Sequence, residues 1–130
     1  MNLIAIALGG ALGAVCRHGV NVLCRLWLGA GFAYGTLIVN VLGCFLLGLF
    51  ITLGTATTAE GAQRWSSTMH SALTIGFLGA LTTFSTFGFE TASHMRDAEH
   101  HLALTNVALN VVLGLAAVFA GWWLGKTWAG

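Results

Sequence analysis

The chain has 130 residues, 57% of them hydrophobic and only 7% charged, with a formal net charge of +1. A soluble domain carries roughly 25% charged residues, so a chain this poor in charge could not cover a water-facing surface. Near-neutrality argues against a nucleic-acid partner, and the three cysteines lack the spacing of a metal or disulfide framework.

The solvent implied is lipid. A bilayer core asks for roughly 20 mostly apolar residues per helix. Four stretches qualify, at about 3–28, 34–57, 68–95 and 101–128. Little remains between them, so residues 1–130 are expected to form a single all-α membrane domain of four transmembrane helices. No basic segment precedes Leu3 and no small-x-small site follows, so the first stretch reads as a span and not as a cleavable signal.

Helix 1 carries Arg17 in "GGALGAVCRHG". A guanidinium is costly in lipid and should face protein, water or a partner such as a helix-end carbonyl or Glu90. Cys16, Cys24 and, in helix 2, Cys44 read as small packing residues. Helix 2 also carries Thr36 and Asn40.

Helix 3 is the unusual one. "GALTTFSTFG" (79–88) gathers Thr82, Thr83, Ser85 and Thr86 with Phe84 and Phe87. The chain has no proline, so a helix break must come from glycine or from hydroxyls that bond back to the backbone. Only here do these breakers cluster at membrane depth, so helix 3 is expected to break near its middle. Carbonyls left at the end of its first half suit a cation, and N–H groups opening its second half suit an anion. Glu90 follows as the only acidic residue at helical depth. Glu60 falls in the 2–3 loop, and Asp97 and Glu99 in the 3–4 loop. Helix 4 carries Asn106 and Asn110, four apart and hence on one face.

Amide and hydroxyl donors without a nearby lysine could replace the water around a small anion without trapping it. Phenylalanine rings have positive edges, so Phe84 and Phe87 could face the same anion. The other reading makes the asparagines glue between helices and the phenylalanines core. His18, His70, His94, His100 and His101 lie mostly toward segment ends, and no spacing or carboxylate set fixes a metal among them. They read as interfacial residues, as do Trp27, Trp65 and Trp128.

Four helices alone can hardly enclose a solvated path, so an oligomer is expected. Gly9 with Gly13, Ala72 with Gly76 and Gly121 with Gly125 are small pairs four apart that offer close-packing surfaces, between subunits or within one. Arg64 and Lys126 fall on one side of the membrane, Arg25 and Arg96 on the other, with Arg17 deeper. This balance favours neither orientation. A chain inserting both ways up would show it, and so would one oriented by something else.

At this point a resemblance becomes specific. "GGALGAVCRHG", "GTLIVNVLGCFLLG" and "GFLGALTTFSTFGFET" resemble the three signature blocks of the CrcB/Fluc fluoride channel family, and "NVALNVVLG" is similar to its fourth-helix pattern. The likeness covers nearly the whole chain, in order. It implies a bacterial inner-membrane protein, not an enzyme, that exports cytoplasmic fluoride passively and so lowers its toxicity. It implies an antiparallel, dual-topology homodimer with two fluoride pathways and a structural sodium ion at the dimer centre. By position in the motif, the sodium ligands are the main-chain carbonyls of Gly79 and Thr82. The fluoride pathway falls on Asn40, Thr83, Phe84, Ser85, Thr86 and Phe87, with Glu90 facing the vestibule. Arg17 is the arginine of the first block, and Asn106 and Asn110 are helix-4 polar positions. Ala80 departs from the family pattern, which usually has a second glycine there.

Two other classes remain open on the residues. One is a proton-coupled transporter with Glu90 as carrier, although helix 1 lacks the carboxylate a small multidrug exporter would need. The other is a membrane subunit without transport, its asparagines being glue.

Overall fold

Four helical spans account for most of the chain in a computed structural model, which describes residues 3–57 and 61–129. Glu60 lies outside the described residues. The first span is α1 (Leu3–Leu28) and the second α2 (Tyr34–Thr55). The third begins as α3 (Ser67–Ser71), widens into a π-helical stretch (Ala72–Leu78) and tightens again as α4 (Gly79–Leu81). Thr82 and Thr83 are extended, after which α5 (Phe84–Arg96) completes the span. The fourth span is α6 (His100–Ala129). All four spans are long and apolar enough to cross a membrane. Among the described residues the only β feature is an isolated bridge between Thr57 and Gln63 in the 2–3 loop.

The ends of the helices follow local chemistry. Gly29 stands just past α1 with φ +82°, a left-handed conformation that suits glycine and stops a helix. Ser66 caps α3 by accepting the Met69 N–H. α5 closes with Ala98 N–H on the Met95 carbonyl and Glu99 N–H on the His94 carbonyl, the paired bonds of a Schellman turn. Its left-handed position is filled by Ala98, at φ 60°. A Cβ in that conformation costs about 1 kcal/mol. Ala98→Gly is therefore expected to stabilise the protein by about that amount, read as a rise in the thermal unfolding midpoint. An unchanged or lower midpoint would show that the turn carries no such strain.

Glycine contacts set how the spans pack. A Cβ on Gly9 would run into the Ala72 carbonyl oxygen, one on Gly13 into that of Phe77, and one on Gly76 would lie 2.6 Å from that of Ile6. α1 therefore packs backbone to backbone against the π-helical stretch. Gly48 and Gly121 do the same between α2 and α6, against the Val118 and Phe45 carbonyls. The small pairs read as candidate oligomer surfaces are thus used inside one chain. Their spacing makes a flat helix face, and the partner that comes closest is another span of the same chain.

The core is small. Val39, Leu78 and Leu81 are buried, with Phe77, Phe50 and Val20 packed around them. Large apolar side chains such as Leu3, Leu12, Trp27, Phe84 and Trp123 point outward instead. Helices this apolar on their outer faces belong in lipid or against another chain.

Candidate functional site

The site is built around the two extended residues of the third span. Thr82 (ψ 158°) and Thr83 (φ −153°, ψ 117°) leave the helical region, so the backbone groups around them need other partners. Three elements supply them. The Asn40 side chain, from α2, meets Thr83 twice. Its Oδ1 accepts the Thr83 N–H at 2.8 Å and its Nδ2 donates to the Thr83 carbonyl at 3.2 Å. Arg17, from α1, brings Nη1 to within 3.5 Å of the Thr82 carbonyl. Thr83 Oγ1 caps α5 by accepting the Thr86 N–H at 3.2 Å. Gly43 leaves room for this arrangement, since a Cβ there would run into the Thr82 methyl.

From Asn40 a line of side-chain hydrogen bonds crosses the protein. Asn40 Nδ2 also donates to Asn110 Oδ1 at 2.9 Å. Asn110 Nδ2 donates to both the main-chain and side-chain oxygens of Asn106, each at 3.0 Å. Asn106 Nδ2 donates to Thr91 Oγ1 at 2.9 Å, and Thr91 donates to the Phe87 carbonyl at 2.8 Å. Asn106 is completely buried. Both N–H groups of Asn40 are thus engaged within the chain.

An open groove of about 350 Å³ runs alongside, lined among others by Asn40, Asn110, Thr83, Phe84, Phe87 and Gly79. The two rings lie 5.6 Å apart, tilted by 49°. Phe84 is 83% exposed, so it stands on the surface of the chain rather than in its core. The hydroxyls of Ser85 and Thr86 gather on Thr83 Oγ1, at 3.3 and 3.0 Å.

Glu90 lies elsewhere. Its Oε1 accepts the Thr36 hydroxyl at 2.9 Å, and its Oε2 is buried with no partner among the described residues. It faces a second cavity of about 270 Å³, shared with Asn21, Arg25, Tyr34 and His94. Of the two partners expected for Arg17, the structure brings it to the helix-end carbonyl and not to Glu90. Asn106 sits behind the groove without lining it. Thr91 was not singled out from sequence, although it lies four residues beyond Phe87 and eight beyond Thr83 on one face of α5.

The main-chain carbonyls of Gly79 and Thr82, at and just before the extended pair, are of a kind that could hold a hard cation. The amides that would close helical bonds onto Gly79 and Thr82, the N–H groups of Thr83 and Thr86, are turned to Asn40 Oδ1 and Thr83 Oγ1. Gly79 and Thr82 both line the groove, and their neutral oxygens would suit an alkali ion better than a transition metal, although that of Thr82 also meets Arg17 Nη1 at 3.5 Å. Two is fewer than the usual coordination number, so an ion held there would need further oxygens. Among the described residues no three His, Cys, Asp or Glu side chains form a metal cluster. His94 pairs instead with Glu99, at 2.7 Å.

A family model described as "CrcB-like protein, Camphor Resistance (CrcB)" matches residues 4–122. A relative from Dehalococcoides mccartyi, named "Fluoride-specific ion channel FluC", is 45% identical over 125 residues, covering 96% of this chain and 92% of the relative. One of the same name from Hydrogenovibrio crunogenus is 44% identical over 126 residues, covering 97% and 92%. Another from Geobacter metallireducens is 42% identical over 121 residues, covering 93% and 94%. By their names, these relatives are ion channels and not enzymes.

Proposed function

The chain belongs to the CrcB family, and from that premise we propose that it is a fluoride-selective channel through which cytoplasmic fluoride leaves passively. The observation that carries this reading is the groove. The side chains of Asn40 and Asn110, threonines and two phenylalanine rings line it beside an extended stretch of backbone midway along the third span. No lysine or arginine lines it, so an anion entering it is coordinated weakly enough to leave again.

Fluoride is small and accepts hydrogen bonds strongly. It takes an N–H of Asn40 from its intramolecular acceptor, with the Thr83 hydroxyl in the same groove and those of Ser85 and Thr86 bonded to it from behind. The edges of Phe84 and Phe87 carry partial positive charge and complete its coordination without fixing it in place. A larger, weaker acceptor such as chloride does not compete for the amide and does not fit the narrow path. Asn110 lines the same groove, and Arg17 steadies the backbone behind it. Glu90 lies in the separate polar cavity with Arg25 and His94, which in this reading serves as a vestibule.

One chain leaves the groove open on the side where Phe84 and Gly79 are exposed. A second copy closes it, and the balanced basic residues on the two sides suit an antiparallel, dual-topology homodimer. At its centre the carbonyls of Gly79 and Thr82 from both copies would hold a sodium ion, which when bound supplies a fixed positive charge joining the two interrupted spans. The membrane is the bacterial inner membrane.

The test is anion release from liposomes holding the purified protein, read with a fluoride and then a chloride electrode. Fast fluoride release that requires valinomycin, without chloride release, is the expected result. Release driven instead by a proton gradient, or none at all, would defeat the reading. Within that assay Phe84→Ile and Phe87→Ile are each expected to slow fluoride release by about tenfold or more, the loss of one ring-edge contact of about 1–2 kcal/mol in a desolvated site. Parent-like rates in both variants would remove the rings from the path.

A further inference from the structure

We infer that Asn106 and Thr91 are positioning residues for the pathway, acting by holding the amides of Asn40 and Asn110 in place from behind; the inference rests on the channel reading above. Neither residue lines the groove. Both belong to the side-chain line described there, and that line runs in one direction only. Thr83 N–H donates to Asn40, Asn40 to Asn110, Asn110 to Asn106, Asn106 to Thr91, and Thr91 to the Phe87 carbonyl. It starts and ends on the third span, so it closes a ring through α2, α6 and α5.

The polarity of that ring is not free to choose. A side-chain amide can turn over and exchange its oxygen for its NH2, but main-chain groups cannot exchange roles. The Thr83 N–H at the start demands an oxygen from Asn40. The Asn106 carbonyl takes an NH2 from Asn110, and the Thr91 hydroxyl donates to the Phe87 carbonyl one turn back in α5. The same Asn110 NH2 faces the Asn106 side-chain oxygen, so the Asn106 NH2 is turned to the lone pair of Thr91 Oγ1. Asn110 must then present oxygen, not NH2, to Asn40. Reversing any one amide places two N–H groups or two oxygens in contact, in a buried place where the mismatch is costly.

The consequence falls on the ion. An anion in the groove meets Asn40 and Asn110, and which of their atoms it meets decides whether it is attracted or repelled. Without the Thr91 hydroxyl, the NH2 of the completely buried Asn106 has no acceptor, and any shift of Asn106 that relieves it disturbs the contact by which Asn110, and through it Asn40, is held. The donors of Asn110 and Asn40 are then held less firmly where the ion meets them.

The variants are Thr91→Val, which keeps the shape and removes the hydroxyl, and Thr91→Ser, which restores it. Asn106→Leu is the second route, although a fully buried site is harder to refill. The purified dimers are placed in planar bilayers and single-channel fluoride current is recorded. Thr91→Val is expected to lower the unit current about tenfold, the equivalent of one lost hydrogen bond, and Thr91→Ser to restore it. A merely structural role would leave fewer channels, each with full unit current, and that result overturns the inference. Parent-like unit current in both Thr91→Val and Asn106→Leu overturns it too. A parent protein that passes no fluoride defeats the channel reading first and this inference with it, so the two failures are told apart by the parent record alone.

Discussion

Asn40→Asp is expected to abolish fluoride release, lowering it by at least about a hundredfold, with the dimer still purified intact. Asparagine and aspartate have the same shape, so the change isolates chemistry. The aspartate oxygen still accepts the Thr83 N–H. The other oxygen replaces an NH2 that donates to the Thr83 carbonyl and to Asn110 Oδ1. Two attractive contacts become oxygen–oxygen contacts, at about 1–3 kcal/mol each, and a negative charge now lines an anion path. Initial rates of fluoride release from liposomes measure the effect. Release within a few-fold of the parent would take Asn40 out of the pathway.

Gly121→Leu is expected to prevent folding, and Gly121→Ala to lower stability by about 1–3 kcal/mol. α2 and α6 touch through backbone here. A Cβ on Gly121 would run into the Phe45 carbonyl oxygen and lie 3.0 Å from the Leu49 N–H nitrogen. Neither atom can move without separating the two helices. Gly19 is the control, because a Cβ there meets nothing within 4 Å. Gly19→Ala should therefore be neutral or slightly stabilising, since alanine favours the helix. Thermal unfolding of the detergent-purified protein distinguishes the two. Equal midpoints for Gly121→Ala and Gly19→Ala would mean that the helices are not in backbone contact.

The four spans were legible because hydropathy reads length against a bilayer. Their limits fell within a residue or two, α2 ending at Thr55 and not at 57. The extended residues Thr82 and Thr83 lie inside the hydroxyl-rich stretch that sequence marked for chain breaking. The wide π-helical turn just before it carried no such mark. Ala72–Leu78 holds no proline or charge, and it lies where α1 crosses at Gly9 and Gly13, a tertiary circumstance.

The same limit explains the glycines and the asparagines. Spacing showed that Gly9 and Gly13 share a face, but not that the neighbour is the third span of the same chain. Spacing likewise put Asn106 and Asn110 on one side of α6. It could not say that Asn106 is sealed behind the groove with Thr91 as its acceptor, because that pairing joins two helices across space. Thr91 looked like any threonine near a helix end. Arg17 had two candidate partners by chemistry, and only the crossing of α1 with the extended pair decides for the Thr82 carbonyl.

The central claim is passive, selective passage of fluoride, and the reversal potential of the current tests it most directly. The purified protein is placed in a planar bilayer with a tenfold fluoride gradient, equal chloride and equal pH on both sides. The account predicts reversal near about 59 mV in magnitude, the value for a tenfold gradient of a permeant monovalent ion, with a sign set by fluoride and no change when chloride is made unequal. Reversal that follows chloride, or that shifts when only the pH gradient is altered, would contradict it.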